Sequence, residues 1–581
     1  MRALTITFFF ASSILCACAG HGPLRVASES SDQLDAMCRE LYGDIDGRIA
    51  DIAGDYSLDF TARTKELTKL EKYMKEKTPP KLGACWTTSY ENHPDYLTHQ
   101  RQKPRPGYDL FYAEFDDSGN ATDIVAGQNV TYPKSQLHLI KEQLQKKLTD
   151  AQGDGSGLNI VVFTHGWHGT ASAFDDYSIE FKGMLEDIAA EEQRTHQRRT
   201  AQNVAAAPHP RRTIGIEVAW RGDSFLTPAI PGISGSKNFA NVWDRKITAS
   251  VVASGSVHEL FAFLNEFYRE NSCDAYGSAR GPATAAQDLH ACDGVHMLTV
   301  GHSFGALIDM RAITGRIESG LNVPRGSRVY GFGDMSVLLN PAFEGVGYRG
   351  VFDDAVNRAY NDVTEAKDPH PYFDAATQPS ACQTQALSSA TTTLKESPDL
   401  PAAPQPDSGS LPARDPARPW EQIPTVVILQ SAGDTATGKF FPPEQAIATL
   451  FRQTLSPAER VDKNTAVGWI QDFRTHSLDY QSGGAADSCK TNDGAAASYC
   501  PFTDELSPTT KYLRLTGIAH SQVVPDFMPL WSVLVNKQIM EQHDDFWNPQ
   551  VVRLISIMFR DAYIQAEIRN RARACESQPV P

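Results

Sequence analysis

VHMLTVGHSFGAL, running from Val295 to Leu307, is the stretch on which the reading of this chain turns. Val295 to Val300 is a short apolar run of the kind that forms a buried parallel strand. Ala306, Met310, Ile313 and Ile317 then recur at helical spacing. Between the two lies Gly301-His302-Ser303-Phe304-Gly305. A serine can sit on a tight strand-to-helix turn only if the residues two before and two after it have almost no side chain, because the backbone there passes close to neighbouring elements. The glycines meet that need, and the stretch reads as a nucleophile elbow presenting Ser303.

A serine hydroxyl is a poor nucleophile until a base takes its proton, and the resulting imidazolium needs a carboxylate to orient it. The acid is sought in TVVILQSAGDTATG, where Asp434 follows a strongly apolar run in a turn of small residues; Glu344, after MSVLLN in NPAFE, is the rival. For the base, His476, His520 and His543 follow Asp434. His543 lies between the strand-like LWSVLV and a helix begun by Asn548 and Pro549, with Val552, Ile555 and Phe559 along its apolar face. His520 in LRLTGIAHSQ is the alternative base, and His476 in FRTHSLDY reads as a surface loop. Upstream, NIVVFTHGWHGT is a hydrophobic strand ending in a glycine turn. The backbone N–H groups of Trp167 and Phe304 are the candidate oxyanion donors for charge building on an acyl carbonyl oxygen. His165 reads as a structural hydrogen-bonding residue. His165 and His168 lack the carboxylate motif that a metal site would need, and no metal or organic cofactor is expected.

Taken in order, HGW at 165, VAWRGDS from Val218, FANVWDRK from Phe239, GHSFGA at 301, LLNPAFE from Leu338, SAGDTATG from Ser431 and HDDFWNP from His543 resemble a serine hydrolase of the α/β-hydrolase superfamily, in an esterase or lipase-like bacterial group. The resemblance covers roughly residues 159 to 565. It implies an α/β fold with a mostly parallel central sheet flanked by helices, and the order serine, acid, histidine along the chain. Strands are expected at NIVVFTH, TIGIEVAW, VHMLTV, MSVLLN, TVVILQS and LWSVLV. YDLFYAEFDDSG alternates as an antiparallel edge strand would, and KSQLHLIKEQLQKKL reads as a helix. The expected organisation is a signal peptide over 1–18, a helical extension over 19–110 and a hydrolase domain over 111–575. Insertions are expected near 220–245, 375–420 and 480–510. The second is rich in Pro, Ser, Thr and Ala. In the first, Arg221, Asp223, Asp244 and Arg245 either bind a polar substrate group or, the stronger reading, form ion pairs that hold the insertion on the core.

Hydrophobic residues at 41% and charged residues at 21% are ordinary for a globular chain of 581 residues. A net charge of −16 argues against nucleic acid as a partner, since phosphate binding needs a basic footprint. MRALTITFFFASSILCACAG has one positive residue, a short apolar core and small residues around cysteine, which reads as an export signal too short to span a membrane. Leu15-Cys16-Ala17-Cys18 fits a lipobox with Cys18 as the lipidated residue, which places the protein in the cell envelope; a soluble periplasmic product is the alternative. An even number of further cysteines suggests disulfides, with Cys273–Cys292 and Cys489–Cys500 the best pairs and Cys38, Cys85, Cys382 and Cys575 unassigned. The expected function is an exported, lipid-anchored hydrolase of an ester or lipid-like small molecule. Acyl transfer with the same residues and a non-catalytic envelope scaffold are the alternatives.

Overall fold

A computed structural model describes residues 24–25, 32–55, 57–78, 85–97, 104–121, 135–201, 209–222, 236–272, 294–323, 329–367, 424–448, 453–482, 498–499, 511–518 and 528–576. Two helices come first, α1 (Asp32–Ala53) and α2 (Phe60–Lys77), followed by strands β1 (Tyr90–His93), β2 (Tyr96–Leu97), β3 (Pro104–Arg105) and β4 (Tyr108–Phe115). An alternating region follows: α3 (Gln136–Gly153), β5 (Leu158–Thr164), α4 (Asp176–Ala201), β6 (Arg212–Trp220), α5 (Ser236–Val252), α6 (Val257–Asn271), β7 (Val295–His302), α7 (Phe304–Leu321), β8 (Met335–Leu339), α8 (Val346–Lys367) and β9 (Val426–Ser431). The remainder comprises α9 (Phe441–Ala448), α10 (Pro457–Asn464), β10 (His476–Ser482), β11 (Ser498–Tyr499), β12 (Lys511–Gly517), β13 (Leu530–Val535) and α11 (Pro549–Glu576).

Eleven strands form one sheet in the order β1-β4-β6-β5-β7-β8-β9-β13-β10-β12-β11. From β4 to β10 every neighbouring pair is parallel; β1, β12 and β11 pair antiparallel at the margins. This is an α/β protein with a large, mostly parallel sheet between helical layers. The alternation of side chains along a strand explains how one apolar run serves two cores. Leu158, Ile160 and Val162 of β5 join the core shared with α3, α6 and α7, while Val161 and Phe163 join the core under α4 and α11. Helix starts follow local chemistry: Ser135, Asp59 and Ser456 cap α3, α2 and α10 by accepting backbone N–H groups, and Pro457 opens α10.

The helical pair α1 and α2 packs outside α4 through a third cluster that includes Leu41, Ile45, Leu67, Met74 and Ile179. A Cys38–Cys85 disulfide closes it. Beneath, Glu91 on β1 is fully buried and receives Arg25 Nη1, Lys182 Nζ and His93 Nε2, each at 2.9 Å. The short Leu24–Arg25 segment is thereby locked to the body: both backbone N–H groups donate to the Glu114 carboxylate, at 2.9 and 3.1 Å, and Arg25 Nε donates to Ala171 O at 2.7 Å.

All six strands expected in the α/β region form. Three expectations need correction. YDLFYAEF is not an edge strand: β4 lies between β1 and β6, all eight residues buried, because its polar Asp109 and Glu114 find partners in Lys147 and in the Leu24–Arg25 backbone. FRTHSLDY is not a surface loop: His476 opens β10, packs at a tilt against Trp531 with ring centroids 4.1 Å apart and is buried. The sheet also begins at Tyr90, inside the segment expected to be a helical extension, and β4 crosses the expected boundary at 110. Cys18, Asp223, His520, the 375–420 stretch and both expected disulfide pairs lie outside the described residues, as does most of 480–510. Among the described residues no single helix is long and apolar enough to cross a membrane.

Candidate active site

Because β4 to β10 run parallel, the loops leaving their C-terminal ends gather on one edge of the sheet, the usual ligand edge of open α/β sheets. Ser303 stands there between β7 and α7 with φ 54° and ψ −116°, a region that residues with a Cβ rarely enter. Its backbone is held from both sides. Its N–H donates to Leu339 O at 3.0 Å, and its carbonyl accepts from Ala342 N–H at 3.1 Å. The flanking glycines are steric requirements. A Cβ on Gly305 would lie under 3.0 Å from the carbonyl oxygens of Thr164 and His165, and one on Gly301 would strike Asp309 and the backbone of Ala306. Gly166 is just as constrained, since its Cβ would come within 2.9 Å of Ser303 Cβ and 2.8 Å of His302 Nδ1.

His543, on the loop after β13, brings Nε2 to 2.9 Å from Ser303 Oγ. Its Nδ1 is 2.9 Å from Asp434 Oδ2, on the turn after β9. The sequence-derived serine, acid and base therefore meet in one hydrogen-bonded line from three loops. Burial alone would raise the Asp434 carboxyl, but the adjacent His543 and hydrogen bonds from Thr437 and Gln430 hold it well below the usual carboxylate range. Burial likewise opposes charge on His543, yet Asp434, with a smaller contribution from Asp544, raises its pKa above the ordinary histidine value. The carboxylate is thus arranged to stabilise an imidazolium.

The loop from His165 to Thr170 lies against this turn. His165 is buried, accepts Trp220 N–H through Nε2 at 3.1 Å and sits 3.0 Å from Gly166 O through Nδ1; burial pushes its pKa down to about 4. It is a neutral structural ring. His168 N–H donates to Gly222 O, and Gly222 N–H to Gly169 O, both at 3.0 Å, which fixes the loop. Among the described residues, no acceptor pairs with the backbone N–H of Trp167 or of Phe304, the first residue of α7. Both expected oxyanion donors are consequently available.

Glu344 is turned elsewhere. Lys246 Nζ at 2.6 Å and the amide of Gln445 engage it, and it does not reach His543. Arg245 donates to Asp117 at 3.1 Å, to Asp244 and to Arg221 O at 3.0 Å, in keeping with the ion-pair reading of that segment. Two residues near the triad were not singled out from the sequence. Asn340, at φ 41°, donates to His543 O at 2.7 Å and accepts Ser431 N–H at 2.8 Å, so it ties the base loop to the acid strand. His302 Nε2 is 3.2 Å from His543 O, with the ring stacked on Phe546 at 4.0 Å; burial and the neighbouring His543 hold its pKa well down. The asparagine directly after MSVLL was the available signal, because asparagine tolerates positive φ. His302, His543 and Asp544 bring potential ligand atoms within 4.8 Å of one another. Both His543 nitrogens are already committed, however, and a cation there would have to break the line to Ser303 and Asp434. No protein-family model, curated protein or solved structure matches the chain.

Proposed function

We propose that this protein is a serine hydrolase of carboxylic esters, built on the α/β-hydrolase plan and exported as a lipid-anchored envelope protein. The observation that carries the reading is the unbroken line Ser303 Oγ, His543 Nε2, His543 Nδ1, Asp434 Oδ2, with 2.9 Å at each hydrogen bond and Ser303 on a strained strand-to-helix turn. His543 accepts the Ser303 proton as Oγ attacks the ester carbonyl. The N–H groups of Trp167 and Phe304 stabilise the oxyanion, and the imidazolium returns its proton to the leaving alkoxide. Water then attacks the acyl-enzyme by the same route. The strand order and the glycine contacts around Ser303 support the fold assignment. The Cys38–Cys85 disulfide supports an oxidising compartment.

A fluorophosphonate probe applied to the purified protein tests this directly. The label is expected on Ser303, absent in Ser303→Ala and strongly reduced in His543→Ala, with His520→Ala labelled as wild type. Loss of labelling in His520→Ala alone would move the base. No labelling of folded wild type would overturn the proposal.

A further inference from the structure

The Leu24–Arg25 segment is seated at the C-terminal end of β4, on the same edge of the sheet as Ser303. Three strand spacings separate β4 from β7 through β6 and β5, about 14 Å at the usual inter-strand distance. From Cys18 to Leu24 is six residues, which span at most about 21 Å when fully extended. A lipid on Cys18 is therefore leashed beside the edge that carries the candidate triad.

That edge also carries exposed apolar side chains. Leu24 is 45% exposed, Val346, which opens α8 just beyond β8, 46%, and Phe440 after the Asp434 turn 64%. Ile247, at 52%, points outward from α5, whose Arg245 and Lys246 grip Arg221 and Glu344 on the loops of that same edge. The lipid on Cys18 supplies attachment, and the surface decides which face rests on the leaflet: at a net charge of −16, electrostatic attraction to anionic headgroups does not choose it, whereas exposed apolar side chains do.

We infer that the triad-bearing edge is a membrane-docking face: Leu24, Ile247, Val346 and Phe440 rest on the lipid leaflet holding the Cys18 anchor, and the preferred substrates are esters carried in that leaflet. The inference rests on Cys18 being lipidated and, for the substrate class, on the hydrolase reading.

Its test uses the full lipidated protein on phosphatidylcholine vesicles with brominated acyl chains, carrying Phe440→Trp or, as control, Leu97→Trp. Leu97 is 55% exposed and follows the end of β1 that pairs with Tyr108, at the opposite edge. Bromolipid is expected to quench the emission added at 440 and to leave that added at 97 unchanged. Equal quenching, the reverse pattern, or failure of wild type to associate with vesicles overturns the inference. In a second arm, combining Ile247→Ser, Val346→Ser and Phe440→Ser should slow hydrolysis of a fluorogenic phospholipid in the vesicles by ~10-fold or more. Turnover of a water-soluble short-chain ester should stay unchanged, and a parallel loss of both overturns the assignment of the substrate class. Asymmetric quenching without fluorophosphonate labelling of Ser303 would support the docking face while overturning the hydrolase reading.

Discussion

Asp434 and Asp309 show how one side-chain type is driven in opposite directions by its surroundings. Asp434 is held ionised by His543, Thr437 and Gln430. Asp434→Asn removes the charge that stabilises the imidazolium and favours the wrong tautomer, so kcat for a short-chain ester should fall by ~10⁴-fold. The pH profile carries the same information. With His543 raised above the ordinary 6.5, wild-type kcat/KM should climb through a pKa above that value, and the residual activity of Asp434→Asn should climb at lower pH. Asp309, inside α7 beneath the Ser303 turn, has among the described residues only Thr164 Oγ1 as a partner, at 2.5 Å, and burial pushes its pKa up to about 8. An unfolded aspartate titrates near 3.9, so the stability that a neutral Asp309 contributes is lost as pH rises between about 4 and 8. Asp309→Asn has no proton to lose there. Its denaturant midpoint, measured at intervals from pH 4.5 to 8.5, should decline less than that of wild type; parallel declines would exclude a neutral Asp309.

At the scale of elements, the α1–α2 pair is tied to the body by the Cys38–Cys85 bridge and by Arg63, which pairs with Asp545 two residues beyond the base. The disulfide spans 47 residues, and in the chain-entropy account a loop of that length contributes about 4 kcal/mol. Replacing Cys38 and Cys85 by alanine should therefore lower the thermal midpoint clearly in non-reducing buffer, while reducing agent should shift wild type more than the variant. The pairing was not readable from the sequence, because four cysteines without distinctive spacing admit several connectivities. Buried parallel strands were legible, since a strand covered on both faces must be apolar along its length. The reading failed where polar residues are buried with partners far away in sequence. Glu114 depends on a backbone segment 90 residues earlier, and β10 owes its burial to pairing with β12 and β13. Alternation cannot distinguish such a strand from an exposed one.

Across the whole molecule, Ser303, Asp434 and His543 were legible because each follows a distinctive apolar run at the sheet edge where loops converge. Asn340 and His302 were not, since their roles exist only once the loop bearing His543 has folded over them. Ser303 and His543 are separated by 240 positions, with Asp434 between them. A chain that is synthesised or translocated N-terminus first thus displays a serine with no base, then a serine and an acid still without one, until residue 543 has emerged and the final loop has closed. On the proposed hydrolase reading, reactivity is the last property the molecule acquires, and esters met along the route are safe from an unfinished chain.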